Sequence, residues 1–213
     1  MKHFNIIVCG VGGTGVIGLG GLLRKAAMLE GKRVLGAESR GSSQSGGPVT
    51  ASVRFTTPDE SEECNDRTAL WTGAVGAGGA DLMIATEAAE ALRNAYYLLE
   101  NSKVLLNTFT LRPTQTRQEI AARSLKYPSI DEIVDNLSQI TPHVHVVNAS
   151  DMSMKCFDSY RMTNPVLVGL ALARGLLPLK KDTVKSQLHG VAKDALELGF
   201  QSQGSSEAEE DFR

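Results

Sequence analysis

The stretch Phe4-Asn-Ile-Ile-Val-Cys-Gly-Val-Gly-Gly-Thr-Gly15 decides the fold. Ile6, Ile7, Val8 and Cys9 make an apolar run too short for a helix and rich in β-branched side chains, the pattern of a strand buried on both faces. Gly10, Gly12 and Gly15 follow at the spacing Gly-x-Gly-x-x-Gly, so the strand leads through a glycine turn directly into a helix. Each glycine has a physical task there. Gly10 permits a tight turn, Gly12 lets a ligand or another backbone come close, and Gly15 lets the helix lie against the strand. The first N–H groups of that helix, beside Gly13 and Thr14, offer partial positive charge to an anion. A purely structural turn has the same pattern, so the rest of the chain must decide what binds.

Working outward, residues 14–30 read as the first helix, with Val16, Leu19, Leu22, Leu23 and Ala26 at helical spacing. Gly18, Gly20 and Gly21 inside it each cost about 1 kcal/mol relative to alanine, which implies close packing by the sheet or by a partner. Gly31 caps it, and residues 33–38 form a second strand. Glu38 ends that strand, where a dinucleotide-binding domain places the acid that holds a ribose. Such a domain then enters a second helix. This chain instead gives the polar, glycine-rich segment 39–48, containing Gln44, Gly46 and Gly47, and then Val49, Ala51, Val53 and Phe55 alternating with Thr50, Ser52 and Arg54 as in a strand. The nicotinamide-binding plan is abandoned at that loop.

Residues 58–79 read as an irregular, flexible excursion, acidic in its first half and glycine-rich in its second. Residues 81–86 give another buried strand and residues 87–99 a helix, capped by Thr86, whose first-turn acids Glu87 and Glu90 suit the helix dipole. A strand over 103–107 ends at Asn107. Amphipathic segments follow over 116–124 and 129–140, then a strand over 144–148 and a helix over 151–160. Residues 165–179 are strongly apolar but too short and interrupted to cross a membrane, so they read as a buried or subunit-facing helix. An amphipathic helix over 183–198 closes the fold, and 201–213 reads as a disordered acidic tail. The class is α/β: a doubly wound, mostly parallel sheet with a Rossmann-like start, in a single domain over residues 1–200. Ligands belong at the carboxyl ends of the strands, the edge that collects residues 10–15, 38–47, Glu87 and Asn107.

Composition excludes several classes. The 213 residues are 42% apolar, enough for a core, and 22 basic against 24 acidic residues leave a net charge of −2. That balance carries no electrostatic footprint for nucleic acid or an anionic membrane. The start, Met1-Lys2-His3, runs into the first strand without the pattern of a secretion signal, so a cytoplasmic protein is expected. Cys9, Cys64 and Cys156 have no cluster or zinc spacing, and His143 and His145 share a strand face without a third ligand.

With these segments placed, the order of motifs resembles the gamma-type domain of the 2-oxoacid:ferredoxin oxidoreductases, and within that family the small subunits that act on indolepyruvate. The resemblance rests on Gly10-Val-Gly-Gly-Thr-Gly15, on Glu38 and Gln44-Ser-Gly-Gly-Pro-Val49, on Ala80-Asp-Leu-Met-Ile-Ala-Thr-Glu-Ala-Ala-Glu90, on Val104-Leu-Leu-Asn107 and on Asn164-Pro-Val-Leu-Val-Gly169. The family usually carries glutamine where Thr14 stands and arginine where Ser45 stands. The resemblance implies an accessory subunit of an enzyme that oxidatively decarboxylates a 2-oxoacid to an acyl-coenzyme A. Thiamin diphosphate, Mg and [4Fe–4S] clusters are then expected on a larger partner subunit that passes electrons to ferredoxin, with no catalytic residue or metal ligand on this chain. Coenzyme A would approach the interface, facing Gly10, Gly12, Gly13, Thr14, Gly15, Glu38, Gln44, Gly46, Gly47, Asn107 and Asn164. The alternatives are a dehydrogenase domain binding NAD(P) through Gly10, Gly12, Gly15 and Glu38, and a non-catalytic assembly module.

Overall fold

The structure is a computed structural model that describes residues 2–41, 46–57, 70–111 and 126–202. In order these form β1 (Lys2–Val11), α1 (Val16–Leu29), β2 (Val34–Arg40), β3 (Pro48–Thr57), β4 (Leu82–Ala85), α2 (Ala88–Arg93), β5 (Lys103–Asn107) and α3 (Ile130–Ser138). Then come β6 (Val144–Val147), α4 (Ala149–Phe157), α5 (Thr163–Ala173), α6 (Lys181–Ser186) and α7 (Val191–Gln201). The sheet order is β2-β3-β1-β4-β5-β6. All ladders from β1 to β6 through β4 and β5 are parallel, and β3 runs antiparallel to both its neighbours.

Alternation along each strand divides the core into two layers. Ile6, Val8, Leu82, Ile84 and Leu105 point to one face and pack against α1, α5 and α7, through Leu19, Leu23, Val166, Leu170 and Leu196. Ile7, Cys9, Met83, Ala85 and Leu106 point to the other, against α2 and α3, through Ala88, Ala91, Ile133 and Leu137. Helices on both faces of a mostly parallel sheet make the fold doubly wound.

The second strand departs from the dinucleotide-binding plan in its pairing. In that plan β2 lies beside β1, whereas here β3 is inserted between them, with Ile6 opposite Val53 and Val53 opposite Gly36. Phe55 and its neighbours cover α1 on the first face. On the second face β3 is polar, and residues 70–79 cover it. The Arg54 guanidinium donates to the Thr72 and Ala74 carbonyls at 3.0 Å each, and Ser52 Oγ donates to the Gly73 carbonyl at 2.5 Å. A Cβ on Gly73 would overlap the Gly36 backbone. Gly73 therefore serves close packing, where the composition suggests flexibility, while Gly76 faces open space and Gly78 takes a φ of 66°; residues 58–69, with Cys64, lie outside the described residues.

Two helices also differ from expectation. The segment read as one helix over 183–198 is α6 and α7, broken at Gly190, whose φ of 51° and ψ of −136° suit glycine alone. Behind β4, the cap is Glu87 and not Thr86, and α2 ends at Arg93 before a short turn over Ala95–Tyr97. The predicted segment over 116–124 and the tail beyond residue 202 lie outside the described residues. No described helix is long and apolar enough to cross a membrane.

Candidate functional site

The parallel strands β1, β4 and β5 end together, and a cleft of roughly 380 Å³ opens at their carboxyl edge. Gly13, Thr14 and Gly15 form one wall, Phe109 and Leu111 the opposite one, Tyr160, Arg161 and Asn164 the rim, and Thr86, Ser150 and Thr163 also line it.

The glycine wall is tightly specified. A Cβ on Gly10 would overlap Thr86 Oγ1, so only glycine lets β1 leave the sheet beside the end of β4. Gly13 and Gly15 adopt φ of 105° and 79°, both in the region that favours glycine. Asn164, near the start of α5, donates from Nδ2 to the Thr14 and Gly15 carbonyls at 3.1 and 3.0 Å, which fixes the turn to the neighbouring helix. The other amide atom, Asn164 Oδ1, is buried with no hydrogen-bond partner. The first turn of α1 carries no side-chain cap, which leaves its N–H groups available to an acceptor.

Behind the wall runs a chain of hydroxyls and amides. Thr14 Oγ1 donates to the Val11 carbonyl at 2.8 Å and lies 2.7 Å from Thr86 Oγ1. Asn107 Nδ2 donates to the Thr86 carbonyl at 3.1 Å and to Ser150 Oγ at 2.9 Å. These groups are satisfied internally, so they shape the cleft and carry no free charge. The opposite wall is aromatic: the Phe109 and Tyr160 rings lie 5.5 Å apart at 48°, and Tyr160 is 55% exposed. Arg161, beside Tyr160, is the one charged residue among the described residues that line the cleft.

Beneath the cleft lie two acids that the helix dipole does not explain. Glu87 is fully buried and Glu90 is 1% exposed. Glu87 accepts from Glu90 N at 3.0 Å, from Leu111 N at 3.2 Å and from the Tyr127 hydroxyl. Burial raises its carboxyl above the ordinary carboxylate value against the lowering effect of the Tyr127 hydrogen bond. Glu90 has an ion pair with Arg93 at 3.1 Å but no hydrogen bond on either oxygen, and burial pushes it up to about 7.

The structure thus gathers Gly13, Thr14, Gly15 and Asn164 at the cleft, with Gly10 and Asn107 directly behind it. Gly12, Gly46 and Gly47 meet one another instead: Gly12 N donates to the Gly47 carbonyl at 2.7 Å and Gly46 N to the Gly12 carbonyl at 3.2 Å. The backbone that Gly12 admits is that of the chain's own second loop. Glu38 stands apart, on β2 beyond β3, where Arg24 and Arg40 donate to its carboxylate at 2.8 and 3.1 Å and hold its carboxyl below the ordinary range. Gln44 lies outside the described residues. Sequence reasoning missed Phe109, Tyr160 and Arg161; their signal was position, just beyond a parallel strand for Phe109 and just before the Asn164-Pro165 helix start for the other two. Among the described residues no three His, Cys, Asp or Glu side chains are grouped to hold a metal ion.

A glycine-turn cleft on a doubly wound sheet defines the class, and comparison with known proteins gives the family. Residues 5–202 match the profile of pyruvate ferredoxin/flavodoxin oxidoreductase, and the chain belongs to that family. It is 37% identical over 206 residues to the indolepyruvate oxidoreductase subunit IorB of Archaeoglobus fulgidus, covering 93% of this chain and 94% of the relative. It is 30% identical over 186 residues to the subunit of the same name in Methanothermobacter thermautotrophicus, covering 87% and 86%. Its fold resembles the gamma subunit of a keto/oxoacid ferredoxin oxidoreductase from Geobacter sulfurreducens, with a TM-score of 0.59 at 16% identity over 93% of this chain and 96% of that one. It also resembles a 2-oxoglutarate:ferredoxin oxidoreductase from Magnetococcus marinus, solved with 2-oxoglutarate, coenzyme A and succinyl-CoA bound, with a TM-score of 0.62 at 16% identity. That match covers 95% of this chain and 30% of the longer one.

Proposed function

We propose that this chain is the small subunit of a cytoplasmic 2-oxoacid:ferredoxin oxidoreductase acting on indolepyruvate or another aryl pyruvate, and that its cleft receives part of coenzyme A. The observation that carries the reading is the cleft's inventory. Among the described residues its lining offers a glycine turn, a guanidinium and two aromatic rings, with no acid, imidazole, amine or thiol. It fits a nucleotide-bearing anion: Arg161 and the glycine turn Gly13–Gly15 face phosphate, the orphaned Asn164 Oδ1 accepts a hydrogen bond, and Phe109 with Tyr160 offers a surface to a base.

When bound, coenzyme A supplies the thiol that takes the acyl group. This chain's part is to hold the nucleotide end, exclude water from the mouth, and leave carbonyl chemistry to a larger subunit carrying thiamin diphosphate, Mg and iron–sulfur clusters. Gly46 and Gly47, bonded to Gly12, lie at the same edge and form part of the surface that meets the partner in this reading.

Co-expression with the large subunit tests the assignment. The complex should convert an aryl 2-oxoacid with coenzyme A and a low-potential acceptor, and Gly46→Trp or Gly47→Trp should lower turnover with circular dichroism unchanged. Full activity of the large subunit alone, or no effect of these substitutions on rate or assembly, overturns it.

A further inference from the structure

We infer that Glu87 is a positioning residue that sets the width of the cleft. Thr86 and Glu87 are adjacent in the chain, yet their side chains reach opposite walls. Thr86 Oγ1 bonds Thr14 on the glycine wall at 2.7 Å, and Glu87 Oε1 takes Leu111 N on the aromatic wall at 3.2 Å. Ala88 N donates to the Phe109 carbonyl at 3.0 Å, so residues 87–88 grip residues 109–111 at two points, one through backbone and one through the carboxylate. The Tyr127 hydroxyl donates to the same Oε1, and Glu87 Oε2 caps α2 through Glu90 N at 3.0 Å. One fully buried carboxylate therefore joins the aromatic wall, Tyr127 and the start of α2. A buried acid without these donors would be strongly disfavoured, which ties the Glu87 carboxylate to the wall, to Tyr127 and to α2 together. Phe109 reaches Tyr160 from this wall, so displacement of residues 109–111 moves the surface opposite Gly13–Gly15.

The inference rests on the coenzyme A reading, and the two fail separately. Glu87→Gln keeps an oxygen for Leu111 N and Tyr127 but turns an amide toward Glu90 N; Glu87→Ala removes every contact. Calorimetric titration of coenzyme A into the co-expressed complex should show Glu87→Ala and Arg161→Ala each weakening affinity about tenfold, about one good hydrogen bond, with Glu87→Gln within about twofold of the parent. In the same complex, hydrogen exchange at the Leu111 amide should accelerate in Glu87→Ala and stay near the parent rate in Glu87→Gln. If Arg161→Ala weakens binding and Glu87→Ala does not, or Glu87→Gln is as poor as Glu87→Ala, the positioning role is overturned and the cleft reading stands. If coenzyme A does not bind the parent, or Arg161→Ala leaves its affinity unchanged, the cleft reading fails and the positioning role falls with it; accelerated Leu111 exchange would then mark Glu87 as a fold contact only.

Discussion

Thr14 Oγ1 and Thr86 Oγ1 lie 2.7 Å apart although 72 residues separate them, and this contact joins the glycine turn to the end of β4. Each hydroxyl also reaches a carbonyl, Val11 for Thr14 and Cys9 for Thr86, so the pair can orient its protons in either direction without leaving a group unpaired. Gly10 is forced by the same geometry, since any Cβ there would occupy the position of the Thr86 hydroxyl.

Thr14→Val and Thr86→Val should each destabilise the chain by about 1 kcal/mol, the net worth of a hydrogen bond. Because the two act on one contact, the double variant should lose less than the sum, with a coupling of about 0.5–1.5 kcal/mol. Urea unfolding of the four proteins measures it, and additive losses would show that the contact carries no energy.

Glu90 makes stability depend on pH in an uncommon direction for an acid. Its carboxyl is pushed up to about 7 from an ordinary value of 4.5, so the folded chain holds the proton more tightly than the unfolded chain. The contribution is fully favourable below pH 4.5 and is lost as pH rises to about 7; Glu87, also raised by burial, acts in the same sense. Glu90→Gln should therefore flatten the pH profile and stabilise the chain at pH 8 by on the order of 1–3 kcal/mol, read as a higher melting temperature. The Arg93 ion pair lost with it is half-exposed on the arginine side and offsets little. A lower melting temperature for the variant at pH 8 would contradict this.

These two acids mark where sequence reading stops. Ile6 to Cys9, the glycine turn and the alternation of Val49, Ala51, Val53 and Phe55 are legible because each signal is local: a run, a spacing, a period of two. The insertion of β3 between β2 and β1 is not, since it depends on pairing Ile6 with Val53 across the chain. Burial of Glu87 is equally hidden, because its donors come from Leu111 and Tyr127, and in local sequence a first-turn acid looks solvated. The break at Gly190 escapes for a different reason: apolar periodicity continues through it, and only the backbone dihedrals separate α6 from α7. Half of the cleft was visible as glycines, and the other half is assembled from residues 109–111 and 160–161, which carry no shared motif.

Glycines in helices should divide into two kinds on substitution. Gly18 and Gly21 face open space, so alanine there should stabilise the isolated chain by about 1 kcal/mol through helix propensity. At the contact of α5 with α7, a Cβ on Gly169 would overlap the Leu196 carbonyl and one on Gly199 the Val166 carbonyl. Both obstacles are backbone, so Gly169→Ala and Gly199→Ala should each cost about 2–3 kcal/mol or more. Thermal unfolding of the four variants checks the contrast, and equal responses would refute it.

Nicotinamide nucleotides should bind poorly, and Glu38 should not matter to them. The ribose-binding acid of a dinucleotide domain works because its strand lies beside the one that ends in the glycine turn. Here β3 separates those strands, and Arg24 and Arg40 already occupy the Glu38 carboxylate. Glu38→Ala removes a surface ion-pair network, so it should change stability by less than about 1 kcal/mol. Calorimetric titration of NAD and NADP into parent and variant should give no saturable binding in either. A micromolar dissociation constant for NAD, weakened by Glu38→Ala, would restore the dehydrogenase reading, because only a ribose contact from this carboxylate would produce that dependence.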